Sequence, residues 1–145
     1  MLNIIFCIVA GAAMSIQGVM NTRLGDKAGL FEANMFVQGT AFILSLLAMI
    51  FFGKGNLGTL LATEKVYLLG GILGLIITIT VMLGIKSFSP TIAISVILVS
   101  QLIVAALIDY FGIMGSKKVP FHWTKLVGVA LMIIGIIVFK TNFKK

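Results

Sequence analysis

Residues Pro90 to Gly115 read PTIAISVILVSQLIVAALIDYFGIMG. The run is long enough to cross a bilayer, because about 20 helical residues cover a hydrocarbon core of ~30 Å. It nevertheless carries Gln101 near its midpoint and Asp109 toward its far end. An ionised carboxylate at a helix centre costs roughly 2.5–3.5 kcal/mol on insertion scales, and less near an interface. Gln101, Ala105 and Asp109 lie four residues apart, so they share one helical face. That face is expected to look into protein or a wet cavity, not into lipid.

Four further apolar runs surround this one, giving expected spans at about 2–22, 31–52, 66–85, 91–113 and 121–140. The 145 residues are 60% hydrophobic and only 10% charged, with a mean hydropathy of +1.20. A soluble domain is nearer half apolar and a quarter charged. The fold class that follows is an all-α integral membrane protein of five transmembrane helices, forming one domain over residues 1–145 with no soluble extension. Leu2 to Thr22 lacks the basic start of a secretion signal and is followed by four more runs, so it reads as the first span. The net charge of +7 would suggest nucleic acid in a soluble protein. Here the Lys and Arg residues sit in loops and at helix ends, where they serve anchoring and topology, so no nucleic-acid partner is expected.

The connections are short. Gly25 and Gly29 suit a helix stop and a turn between the first two spans. Thr63 is placed to cap the third span, while Pro90 and Pro120 suit the starts of the fourth and fifth. Tyr67, Tyr110 and Trp123 fall near span ends, where amphipathic rings sit at headgroup level. Cys7 is the single cysteine, so no internal disulfide can form, and it reads as a small packing residue. His122 beside Trp123 reads as an interfacial residue.

With the N-terminus on side A, that side holds five basic residues: Lys54, Lys65, Lys117, Lys118 and Lys125. Side B holds six: Arg23, Lys27, Lys86, Lys140, Lys144 and Lys145. Orientation follows the excess of these residues on the cytoplasmic side. So small an excess leaves two readings open: one weakly fixed orientation, or dual topology with head-to-tail pairing. An odd number of spans makes the second useful, because two inverted copies form an inverted repeat of the kind transporters use.

Polarity within the spans falls in stripes. Ala10, Ala13, Gln17 and Asn21 line one face of the first span, and Asn34, Gln38, Ala41, Ser45 and Ala48 one face of the second. Gly70, Gly74 and Thr78 follow the same spacing in the third. Small residues at this spacing let helices approach closely. Gly70 with Gly74, and Gly128 with Gly135, therefore read as helix packing. Gln17, Asn21, Asn34, Gln38 and Thr78 all fall toward side B, with Gln101 near mid-depth. The cluster of four amides, Gln17, Asn21, Asn34 and Gln38, forms either a closed hydrogen-bond network or, with Thr78 and Gln101, the lining of a substrate cavity open to side B, because an unpaired amide in hydrocarbon costs several kcal/mol. Asp26, Glu32 and Glu64 stand at the edges of the spans and Asp109 is set within an apolar run, so any proton coupling through a membrane carboxylate would use it. Its candidate partners are Lys117, Lys118 and Lys125 of its own chain, or Arg23 of an inverted copy, making Asp109 and Arg23 a candidate gate or proton site. The sequence has no Ser/His/Asp set, no paired carboxylates within a span, no metal-ligand spacing and no phosphate-cradling loop, so no enzyme, cofactor or metal is expected.

Gly11 to Leu24 (GAAMSIQGVMNTRL), Gly70 to Gly74, and Ser100-Gln101-Leu102 followed by Ile108-Asp109-Tyr110-Phe111-Gly112 resemble the YdcZ-like family. These are five-span members of the drug/metabolite transporter superfamily, whose usual last helix the stretch Val127 to Ile136 also resembles. The resemblance implies a half-size transporter of the bacterial inner membrane. It implies efflux of small metabolites or drug-like substrates and pairing as an inverted homodimer or with another half-transporter, with the lipid bilayer as the constant partner. Larger relatives carry ten spans as two inverted halves. Small multidrug relatives use a glutamate in their first helix, but Leu2 to Thr22 contains no acid, which leaves any such role to Asp109. The alternative is a non-transporting structural or regulatory subunit of a larger membrane assembly, with its amides sealed as glue between helices.

Overall fold

In a computed structural model, residues 2–120 and 122–141 are described. The expected first residue of the fifth span, Phe121, and the counted charges Lys144 and Lys145 lie outside the described residues. Among the described residues six α-helices follow one another: α1 (Leu2–Ala28), α2 (Leu30–Phe52), α3 (Gly58–Ala62), α4 (Gly70–Ser87), α5 (Pro90–Phe111) and α6 (Trp123–Thr141). A 3-10 turn, Lys65–Leu69, leads into α4, and another, Ile113–Gly115, follows α5. Five segments among the described residues are long and apolar enough to cross a membrane: α1, α2, Lys65–Ser87, α5 and α6. At most 11% of the residues in their most apolar windows are buried within the chain. The driving force for burial is therefore met by lipid or by other chains, not by a large internal core.

Contacts divide the chain into two compact units, one running to Ser87 and the other from Phe88. In the first unit, α1 packs on both α2 and α4, and α2 packs on α4. The apolar seam of this unit holds Ala33, Met82 and Ile85, which are buried. Gly18 lets α1 lie close against α4: a Cβ there would lie 2.9 Å from Ile85 Cδ1 and 3.2 Å from Val81 Cγ1.

The link between α1 and α2 is shorter than the sequence suggests. Helix α1 runs through Gly25 to Ala28, and one residue, Gly29, makes the reversal. Nothing from Arg23 to Ala28 compels a helix to stop. Arg23 and Asp26 pair at a helical spacing of three, and Gly25 is tolerated because its missing side chain lies toward Met82 Sδ and Ala33. Gly29 has φ +105° and ψ 150°, a region open essentially to glycine alone. Its N–H donates to the Gly25 carbonyl and its own carbonyl accepts from Ala33 N, both at 3.0 Å. It thus ends one helix and begins the next.

Thr63 does not cap the third span. The link after α2 forms its own helical turn, α3, begun by the Gly58 N–H donating to Asn56 Oδ1 at 2.8 Å. The Thr63 hydroxyl then donates backward to the Thr59 carbonyl at 2.8 Å. Cys7 is exposed, not a packing residue.

In the second unit α5 packs against α6. Pro90 opens α5 as expected, with the Ile92 N–H donating to Ser89 Oγ at 3.4 Å. At the other end Gly112, with φ +66°, closes the helix by donating its N–H to the Ile108 carbonyl at 2.8 Å. The chain then folds back, and the Val119 N–H donates to the Asp109 carbonyl at 2.9 Å. Helix α6 begins at Trp123, three residues beyond Pro120, so Pro120 belongs to the connection.

Gly29→Ala places a Cβ against the Glu32 carboxylate in a backbone region that strongly disfavours it. The expected cost is about 1–3 kcal/mol. Reversible unfolding in mixed detergent micelles measures it, and Gly39→Ala, where a Cβ meets nothing within 4 Å, should cost far less.

Candidate functional site

The polar residues of the spans separate into those the chain satisfies, those it buries and those it leaves outside. Gln38 and Thr78 are brought together: Gln38 Nε2 donates to Thr78 Oγ1 at 3.0 Å, joining α2 to α4. The Thr78 hydroxyl donates its own proton to the Gly74 carbonyl one turn earlier. Gly74 belongs to the same arrangement, because a Cβ there would lie 3.7 Å from Gln38 Nε2. One member of the glycine pattern, Gly74, thus stands beside a hydrogen bond between helices.

Asn21 on α1 and Asn34 on α2 are buried, at 6% and 4% exposure. Asn34 Oδ1 is buried without a hydrogen-bond partner among the described residues. An unmet buried acceptor costs about 1–3 kcal/mol unless a donor reaches it. Gln17 on α1 and Gln101 on α5 are exposed on the chain surface. Gln101 is flanked by exposed Leu102, Ile103 and Val104. Neither amide has a place in hydrocarbon without a partner.

The charged residues divide by unit. Arg23 lies 4.0 Å from Asp26 on α1, and Lys86 Nζ at the end of α4 reaches Asp26 Oδ1 at 3.1 Å. Asp26 thus fastens the ends of two helices, although these side chains are exposed enough for such a link to contribute about 0–1 kcal/mol. In the second unit Lys125 Nζ lies 3.8 Å from Asp109 Oδ2. Of the partners open to Asp109 from sequence, Lys125 is the one within its own chain that meets it. Arg23, the other candidate partner, belongs to the first unit and Asp109 to the second.

The packing glycines also sort. Gly70, Gly128 and Gly135 have nothing within 4 Å of an added Cβ, so any close approach at them is not made within the described chain. Gly18, which the stripe pattern did not single out, is where α1 and α4 press together. An open cavity of about 470 Å³ lies between α5 and α6, and none of the six amide and hydroxyl residues lines it.

A family model described as "Putative inner membrane exporter, YdcZ" matches residues 2–138. No curated protein and no solved structure matches the chain.

Thr78→Val leaves Gln38 Nε2 without its acceptor, and Gln38→Leu leaves the hydroxyl with only its backbone bond. A double-mutant cycle on these two positions should return a coupling of about 0.6–1.7 kcal/mol, the range for hydrogen bonds between helices in membranes. Unfolding in micelles measures it, and zero coupling would mean the bond contributes nothing.

Proposed function

Since this chain belongs to the YdcZ family of inner membrane exporters, we propose that it exports small metabolites or drug-like compounds as an inverted pair of five-span halves. Each half contributes Gln17, Asn21, Asn34, Gln38, Thr78 and Gln101 toward a shared aqueous cavity. Access alternates as one half rocks against its inverted mate. Asp109 serves as gate or proton site, with Lys125 as its partner in one chain and Arg23 of the mate as the partner on exchange.

The observation that carries this reading is the unmet Asn34 Oδ1, buried in the first unit. A donor from a substrate or from cavity water would satisfy it. The exposed Gln17 and Gln101 support a second chain or a wet lumen for the same reason. The near-even distribution of Lys and Arg supports insertion in both orientations.

A second reading rests on the Gln38–Thr78 bond, which is already closed and acts as glue between helices. On that reading the chain is a non-transporting subunit of a larger assembly.

Liposomes holding only this protein separate the two. Export predicts flux of ethidium, as a drug-like dye, or of a radiolabelled small polar metabolite. Gln101→Leu and Gln17→Leu should each lower that flux about tenfold, the rate equivalent of losing one ~1.4 kcal/mol interaction. Asp109→Asn should flatten its pH dependence, and an unchanged profile removes Asp109 from coupling. C-terminal reporters active on one side of the membrane should give signal from both sides. Absent flux across the panel, with reporters on one side only, favours the subunit reading.

A further inference from the structure

The groove between α5 and α6 lies within one unit and is lined by none of the six amide and hydroxyl residues assigned to the cavity, while Lys125, the in-chain partner of Asp109, stands on its wall. Ile103, Leu107 and Tyr110 of α5 line one wall at spacings of four and three. Leu126 and Val129 of α6 line the other. Its volume of about 470 Å³ falls within the range of small-molecule sites, and its walls are almost wholly apolar. The one charge on its wall is Lys125. The pair that Lys125 makes with Asp109 is long, at 3.8 Å, and both side chains are about a third to a half exposed. The loop entering α6 adds Lys117 and Lys118, and Lys118 folds back so that its Cβ comes within 3.5 Å of where a Gly112 side chain would begin. The stretch from Asp109 to Lys125 thus carries three lysines and one carboxylate, and Lys125 is the lysine that pairs with that carboxylate.

We propose that this groove is a site for an anionic phospholipid of the surrounding bilayer, with an acyl chain along Ile103, Leu107 and Val129 and the phosphate at Lys125. Charge complementarity selects the headgroup, because a zwitterionic lipid brings a second cation toward the same lysines. Close packing along the groove seats the acyl chain and the ammonium supplies the choice. Asp109 competes with the phosphate for Lys125, so the lipid and the carboxylate exchange on one cation. The site does not depend on whether the chain transports anything.

Native mass spectrometry of the full-length protein, titrated with phosphatidylglycerol or phosphatidylcholine after detergent delipidation, tests this. The wild-type chain should retain phosphatidylglycerol about tenfold better than phosphatidylcholine, a preference of ~1.4 kcal/mol. Lys125→Gln should bring the two lipids to parity. Asp109→Asn, which frees Lys125, should strengthen phosphatidylglycerol retention. Ala106→Phe, which fills the groove, should lower retention of both lipids. Parity in the wild-type chain would overturn the proposal. So would Lys125→Gln and Asp109→Asn shifting retention in the same direction, as a purely structural ion pair would make them do, or Ala106→Phe leaving phosphatidylglycerol retention unchanged.

Discussion

A polar side chain on a membrane helix must find a hydrogen-bond partner, because hydrocarbon offers none. That constraint governs this chain more than apolar packing does. Its spans bury almost nothing against one another, and their large apolar side chains point outward. Packing alone would leave the helices free to choose many arrangements. The few polar groups narrow the choice: Gln38 reaches Thr78, Asp26 reaches Lys86, and Asp109 reaches Lys125.

The same constraint turns the remaining polar groups into a functional question. Within the first unit the α1–α2 reversal at Gly29 and the close contact at Gly18 fix three helices against each other. Asn34 is held in that setting with its carbonyl oxygen unmet. Gln17 and Gln101 are held on surfaces that the chain does not cover. A protein built only to fill space in a bilayer gains nothing from three such amides. The proposed exporter would use them to offer hydrogen bonds to a polar passenger, and the family to which the chain belongs is described as an inner membrane exporter.

The five spans were legible in the sequence because hydropathy over ~20 residues is a one-dimensional signal. Pro90 after Ser89 was legible for a similar reason, since the missing N–H and the cap are local. What required three dimensions was hidden. Gly25 looked like a stop and Gly29 like part of a loop, yet only the positive φ at Gly29 breaks the helix. Thr63 had the chemistry of a cap, but the loop before it formed a helical turn of its own. Gly18 carried no mark beyond being one glycine among sixteen, and its role depends on Val81 and Ile85 arriving from α4. The amide stripe was visible as a period. Which of its members would be bonded, buried or exposed depends on neighbours from other helices, and the period does not contain that.

The central claim is that Gln17 and Gln101 face water rather than lipid tails. With the lone cysteine removed as Cys7→Ala, Gln17→Cys and Gln101→Cys can be compared with Phe42→Cys, whose native side chain is 68% exposed in the chain. The measurement is their rate of reaction with a water-soluble maleimide in membrane vesicles. Because the thiolate is the reactive form and does not arise in hydrocarbon, the account predicts reaction at 17 and 101 at least about tenfold faster than at 42. Rates at 17 and 101 as slow as at 42 would contradict it, placing both amides in lipid or in a dry seam with no room for a passenger.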